Sequence, residues 1–219
     1  NPEINGVELL QMLLLHNEYC QVKTVLLFCL ENKLDWQAVA RQMTLDELTL
    51  VHKKELHLLS RQWEHLVNLS LKQLIISDLN LGTLPKQVGY IQSLQKLVAS
   101  RNTLSRLPGS ISGLKRLKTL YLSYNRLKTL PENLGDLPLL EEIHLNHNAL
   151  QNLPESMGKL HNLKILHLSN NQLDSIPTSF EQLQNLEELY LVDNRLTALP
   201  ENFHQLGQLK VLKLGGCNI

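Results

Sequence analysis

The chain has 219 residues, of which 43% are hydrophobic and 19% charged, and this balance excludes an intrinsically disordered protein. Its 21 basic and 21 acidic residues give a formal net charge of zero, so no overall field favours nucleic acid, an anionic membrane or an acidic substrate. The three cysteines, Cys20, Cys29 and Cys217, are too few and too scattered for a disulfide framework or a zinc site. They favour a reducing compartment, which we take to be the cytoplasm.

The N-terminal part of the chain carries apolar side chains at the spacing of helices, since they recur at intervals of three and four. Thr44 and Glu47 have the spacing of a capping box, which predicts a longer helix whose apolar stripe begins at Leu48. The sequence therefore predicts an all-helical N-terminal domain over residues 1–70. It contains neither a basic leader nor an uninterrupted apolar span, so we expect no signal peptide and no membrane insertion.

From Leu71 onward the apolar period changes, and a 23-residue unit repeats without insertion or deletion. In each unit an LxL segment alternates like a strand, and an LPxxLxxL segment turns the chain back. The six full units begin at Leu71, Leu94, Leu117, Leu140, Leu163 and Leu186, and a partial seventh begins at Leu209. One unit cannot bury its own leucines, whereas stacked units merge them into a continuous core. The sequence predicts a repeat domain over residues 71–219, with the strands in one parallel sheet.

An asparagine recurs at one position of the unit, just after the predicted strand. The five asparagines are Asn102, Asn125, Asn148, Asn171 and Asn194. A buried amide at a bend can satisfy backbone groups there, so we expect a ladder of asparagines that holds the turns. Leu79 and Cys217 occupy this position in the first and last units, so we expect the ladder to be interrupted at both ends.

The unit LxxLxLxxNxLxxLPxxIxxLxx closely resembles the leucine-rich repeat family, in particular the 23-residue type of Ras-suppressor-like and scribble-like proteins and of many bacterial repeat proteins. The resemblance implies an α/β fold, a right-handed solenoid shaped like a horseshoe with a parallel sheet on its concave side. It also implies that the helical segment before the repeats caps the first unit. Members of this family bind many unrelated partners, so the resemblance implies a scaffold and does not name its partner.

Residues that alternate with the core leucines point to the concave side of such a sheet. In the middle of the predicted sheet they are tyrosines and histidines, whose rigid amphipathic rings suit a protein interface. We therefore predict a partner-binding surface formed by Tyr121, Tyr124, His144, His147, His167, Tyr190, Glu142, Glu188, Arg101 and Asp193. The alternative interpretation is that tyrosine and histidine occur at half-exposed strand positions through β propensity alone.

The histidines also permit a metal hypothesis. His144 and His167 are expected about 5 Å apart on neighbouring strands, with His147 as a third candidate ligand. No carboxylate or cysteine is clearly placed to complete such a site, so we favour stacked neutral imidazoles, and a pH-dependent interface is the milder form of the idea. The chain has no GxSxG nucleophile motif and no phosphate-binding loop. We predict no metal, no cofactor and no catalytic residue.

Three functions are compatible with these features. The leading hypothesis is a non-enzymatic protein-protein interaction module that binds a protein or peptide ligand on the concave sheet, without nucleic acid. The second is the substrate-recognition portion of a larger enzyme, such as a secreted bacterial effector, which leaves secretion open. The third is self-association through the C-terminal repeat, where no polar cap is recognisable after the last leucines.

Overall fold

The computed structural model describes residues 46–50 and 70–219 of the chain. These residues form one sheet of eight parallel strands, each three residues long, and every strand pairs with the next one along the chain. The strands are β1 (Glu47–Thr49), β2 (Gln73–Ile75), β3 (Lys96–Val98), β4 (Thr119–Tyr121), β5 (Glu142–His144), β6 (Ile165–His167), β7 (Glu188–Tyr190) and β8 (Val211–Lys213). From β2 to β8 the register advances by 23 residues per strand. The predicted parallel sheet with one strand per repeat is confirmed.

The first strand corrects the sequence prediction. Residues Glu47–Thr49 are not the start of a helix, because they pair in parallel with Gln73–Ile75. Leu48 and Leu50 are almost completely buried in the core. The capping box at Glu47 is therefore wrong. The rest of the predicted helical domain, residues 1–45 and 51–69, lies outside the described residues.

The core lies between the sheet and a layer of short helices. The middle residue of each strand from β1 to β7 is fully buried, and the two flanking residues are more exposed. After each of the strands β2 to β7 the chain forms a five-residue 3-10 helix that begins directly after a proline, and neighbouring helices contact each other. These helices are Lys86–Tyr90, Gly109–Gly113, Glu132–Asp136, Glu155–Lys159, Thr178–Gln182 and Glu201–Gln205. One apolar residue of each of the first five, such as Leu134, joins the strand leucines in a single hydrophobic cluster.

The asparagine ladder is present, as Asn125 illustrates. Its Oδ1 accepts the backbone N–H of Leu104 at 3.0 Å, and its Nδ2 donates to the carbonyls of Ala99 and Leu122 at 3.0 and 2.9 Å. Equivalent bonds recur at Asn102, Asn148, Asn171 and Asn194. Each amide therefore satisfies backbone groups of two adjacent repeats, which fixes the spacing between them.

The two ends of the ladder differ from each other. Leu79, at the first position, is a buried hydrophobic residue of the core. Cys217, at the last position, directs its Sγ to the carbonyl of Leu191 at 3.3 Å, where an asparagine of the preceding repeats places Nδ2. The thiol thus keeps one contact of the ladder at the end where the sequence predicted an interruption.

Candidate functional site

The side chains that alternate with the buried leucines share one face of the sheet, which we call the open face and which corresponds to the predicted concave side. Tyr121, His144, His167 and Tyr190 are aligned on it through the register of β4 to β7. We call these four residues the aromatic row. Successive ring centroids are 4.4, 4.3 and 4.1 Å apart, with interplanar angles of 24°, 34° and 35°. Four neighbouring repeats therefore present a continuous stack of rings.

A second stack lies beyond the ends of the strands and consists of Arg101, Tyr124 and His147, which we call the end row. The rings of Tyr124 and His147 are 4.2 Å apart and 14° from parallel, and the guanidinium of Arg101 lies 5.3 Å from the Tyr124 centroid. All three residues are exposed, and Tyr124 keeps 50% of its accessible surface. The end row is thus open to a partner along its length.

The backbone at the end row is left-handed. The φ angles are 54° at Arg101, 57° at Tyr124 and 55° at His147. The other residues at this repeat position are also left-handed, and they are Asp78, Asn170, Asp193 and Gly216. Glycine tolerates this conformation, and asparagine, aspartate and histidine are enriched in it, whereas other side chains cost about 1–2 kcal/mol. The repeats of Arg101 and Tyr124 therefore carry side chains that do not suit their own backbone.

Two carboxylates contact the aromatic row. Glu142 Oε1 accepts the hydroxyl of Tyr121 at 3.0 Å and lies 2.5 Å from Nε2 of His144. Glu188 Oε2 accepts the hydroxyl of Tyr190 at 2.9 Å. Burial, followed by the hydrogen bond to Glu142, raises the pKa of Tyr121, and the hydrogen bond to Glu188 is the main cause of the raised pKa of Tyr190. Both hydroxyls stay protonated near neutral pH, and their hydrogen bonds hold the outer ends of the rings in place.

His167 is half-buried within the aromatic row. Burial, and then the neighbouring His144, lower its pKa below the ordinary 6.5, although Glu188 and Glu142 act in the opposite direction. Its Nδ1 lies 3.5 Å from Nδ2 of Asn146, whose Oδ1 accepts the backbone N–H of Ser169 at 3.0 Å. The neutral imidazole is therefore the favoured form at neutral pH.

The geometry bears on the metal hypothesis in two ways. The imidazoles of His144 and His167 face each other through their rings, with centroids 4.3 Å apart and planes tilted by 34°. The carboxylate of Glu142 lies beside His144, because the two residues are on the same face of β5. The sequence did not predict this neighbour. Within residues 46–50 and 70–219, no group of three or more histidine, cysteine, aspartate or glutamate side chains has the arrangement of a metal site.

The structure brings most of the predicted site residues together. The aromatic row and the end row contain seven of them, and Glu142 and Glu188 contact the rings. Asp193 occupies the same left-handed position as the end row but is separated from His147 by Asn170. Lys96, whose Nζ lies 5.5 Å from the Tyr121 centroid, was missed, although it belongs to the strand pattern.

In the part of the chain that the structure describes, no helix is long and apolar enough to cross a lipid bilayer.

Comparison with known proteins identifies the repeat. A family model described as leucine rich repeat matches residues 69–127, 138–196 and 161–219. No curated protein matches the chain significantly.

Solved structures resemble the described fold. A leucine-rich repeat protein of Leptospira interrogans is 31% identical with a TM-score of 0.61, and the match covers 78% of this chain and 48% of that one. The LRR ectodomain of the plant membrane receptor kinase GASSHO1/SCHENGEN3 from Arabidopsis thaliana, in complex with CASPARIAN STRIP INTEGRITY FACTOR 2, is 32% identical with a TM-score of 0.64, covering 70% and 19%. The crystal structure of PEPR1-AtPEP1 gives 36% identity and a TM-score of 0.64, covering 70% and 22%. This chain spans half the length of these proteins or less. Its repeats, its sheet and its matches together show that the chain belongs to the leucine-rich repeat family.

Proposed function

We propose that this chain is a non-enzymatic interaction module that binds a protein or peptide on the open face of its sheet. The observation that carries the proposal is the end row, because Tyr124 and His147 hold large exposed rings on a left-handed backbone. Stability does not favour the tyrosine there, since asparagine or glycine would adopt the same backbone at lower cost. A contact made by the rings with another molecule accounts for their presence.

The aromatic row supports the same proposal. Its rings are held by each other and by the carboxylates of Glu142 and Glu188, so they need little further ordering when a partner binds. Preorganised aromatic side chains provide contact area at a small entropic cost. The ectodomain of GASSHO1/SCHENGEN3 is in complex with a second molecule, which supports binding as the use of this scaffold. We also propose the cytoplasm as the compartment, which suits the free thiol of Cys217.

The proposal can be tested by photo-crosslinking with benzoylphenylalanine in place of Tyr124. Tyr90 provides a matched control, because it keeps 49% of its surface, against 50% for Tyr124, and belongs to the 3-10 layer on the other side of the core. We expect a discrete crosslinked protein from the position of Tyr124 and none from that of Tyr90. Crosslinking from Tyr90 alone, or from neither position, would contradict binding on the open face.

A further inference from the structure

Two pairs of consecutive glutamates lie where β5 and β7 begin, and the two members of each pair differ in environment. The outer glutamates, Glu141 and Glu187, are neutralised by lysines of adjacent repeats. The contacts are to Lys118 and Lys164 at 3.6 and 2.8 Å from Glu141, and to Lys210 at 2.6 Å from Glu187. Hydrogen bonds from these lysines are the main reason that the pKa of each outer carboxyl is lowered. The outer row is therefore electrically balanced within the chain.

The inner glutamates, Glu142 and Glu188, have no such balance. Among the described residues, neither has a lysine or arginine within 4.0 Å. Glu142 uses Oε1 for Tyr121 and His144, and Glu188 uses Oε2 for Tyr190, while the other oxygen of each has no donor among the residues described. The Glu142 side chain keeps only 26% of its accessible surface. A half-buried carboxylate without a cation is costly, so a cation from a partner would stabilise it.

The two inner glutamates are separated by one strand. The register aligns Glu142 with Ile165 and Ile165 with Glu188, so the carboxylates are two strand spacings apart, about 10 Å, with an apolar side chain between them. Lys96 and Lys213 lie at the two ends of the aromatic row. Lys96 occupies on β3 the position that Glu142 has on β5, so a cationic ligand displaced by two strands in that direction would meet a positive charge.

The charge along the chain favours the same position. Between Asp78 and Glu132 the sequence has nine basic residues and no acidic residue, whereas residues 132–219 contain 11 acidic and five basic ones. The net charge of zero therefore conceals a basic stretch in the earlier repeats and an acidic stretch in the later ones. A basic ligand would be repelled from the repeats before β5 and attracted to those from β5 onward.

We propose, on the basis of the protein-binding function above, that the open face receives an extended basic segment with two arginines three residues apart. In a polyproline II conformation, residues i and i+3 lie on the same side and about 9 Å apart, which matches the separation of the inner carboxylates. Arginine fits better than lysine, because its planar guanidinium can donate two hydrogen bonds to one carboxylate. The residues between the arginines contact Ile165.

Short peptides test this proposal by isothermal titration against the whole chain. The probe is Ac-Arg-Pro-Pro-Arg-NH2, and the controls are Ac-Arg-Arg-Pro-Pro-NH2, which has the same composition, and Ac-Glu-Pro-Pro-Glu-NH2. We expect the probe to bind about fivefold more tightly than the peptide with adjacent arginines, and the acidic peptide not to bind. Glu142→Gln and Glu188→Gln should each weaken the probe by about three- to tenfold, whereas the matched outer variant Glu141→Gln should change its affinity less than about twofold.

Three results would overturn the proposal: equal affinity for both arginine peptides, tighter binding of the acidic peptide, or an unchanged affinity in the inner variants. The melting temperature of each variant establishes that the sheet is intact. Changes in the ring chemical shifts of His144 and His167 on addition of the probe establish that the peptide occupies the open face. The proposed function fails separately. Suppose that a protein crosslinks at the position of Tyr124 but binds Glu142→Gln and Glu188→Gln as tightly as the original chain. That result refutes the basic segment and leaves the proposed protein-binding function standing.

Discussion

Tyr124 and His147 stack almost parallel, with ring centroids 4.2 Å apart and planes at 14°, although both residues have a left-handed backbone. The stack recovers part of the conformational cost, since an aromatic pair contributes about 0.5–1.5 kcal/mol, but it leaves the rings exposed. The pair thus combines a locally unfavourable backbone with a rigid surface that a partner can reach.

We expect Tyr124→Asn to leave the free energy of unfolding unchanged or to raise it by up to about 1 kcal/mol, because relief of the left-handed tyrosine offsets the lost stack. The reverse substitution, Asn170→Tyr, is the matched control at a φ of 58° and should destabilise by about 1 kcal/mol. Urea titration measures both. A loss well above 1 kcal/mol in Tyr124→Asn would mean that the ring is kept for stability.

The asparagine ladder predicts a local effect at Asn148. Its side chain accepts from Leu127 and donates to the carbonyls of Leu122 and Leu145. Asn148→Ala leaves these backbone groups unsatisfied and should lower the free energy of unfolding by about 1–3 kcal/mol. The exposed Asn152 is the control, and Asn152→Ala should change it by less than about 0.5 kcal/mol. Equal effects of the two substitutions in urea titration would refute the structural role of the ladder.

The first strand can be tested at Leu48, which is fully buried. Leu48→Ala should lower the free energy of unfolding by about 2–5 kcal/mol, because it leaves a cavity at the start of the core. Thr49→Ala, on the open side of the same strand, should cost less than about 1 kcal/mol. Amide hydrogen exchange adds a second measurement, since Lys72 and Gln73 donate to the carbonyl of Asp46 at 2.8 Å and should be protected. Rapid exchange of both amides would contradict the pairing of β1 with β2.

The lowered pKa of His167 predicts a pH dependence of stability. As pH falls through 6.5, this histidine takes up a proton in the unfolded chain, while in the folded chain it stays neutral to a lower pH. The unfolded state then binds more protons, so the free energy of unfolding should decrease as the solution is acidified. His167→Gln should make this decrease shallower in urea titrations between pH 7.5 and 5. An unchanged slope would show that the imidazole is not enclosed as described.

The leucine period was sufficient to predict seven of the eight strands, because core positions in a repeat follow directly from spacing. The strand at Leu48 was missed, since its LxxLxL pattern lies 26 residues before the next one and helical intervals follow it. The left-handed position had a signal that could have been used, as Asp78, Asn170, Asp193 and Gly216 are residue types that favour positive φ.

The details of the site were less accessible to sequence. The alignment of Tyr121 with His144 follows from the repeat, whereas the hydrogen bond from Tyr121 to Glu142 depends on side-chain rotamers that spacing does not determine. The separation of a basic stretch in the earlier repeats from an acidic stretch in the later ones was visible in the sequence but was hidden by the net charge of zero.

The most direct test of binding on the open face uses a partner that the original chain captures from lysate. The measured quantity is the affinity of that partner for the original chain and for variants of it. In the double variant Tyr121→Ala/Tyr190→Ala we expect this affinity to fall by at least about tenfold, or 1.4 kcal/mol, with a melting temperature lower by no more than about 10 °C, as the loss of two ring pairs implies. The control Tyr90→Ala should bind within about twofold of the original chain. Original affinity in the double variant, together with a loss in Tyr90→Ala, would contradict the open face as the binding surface.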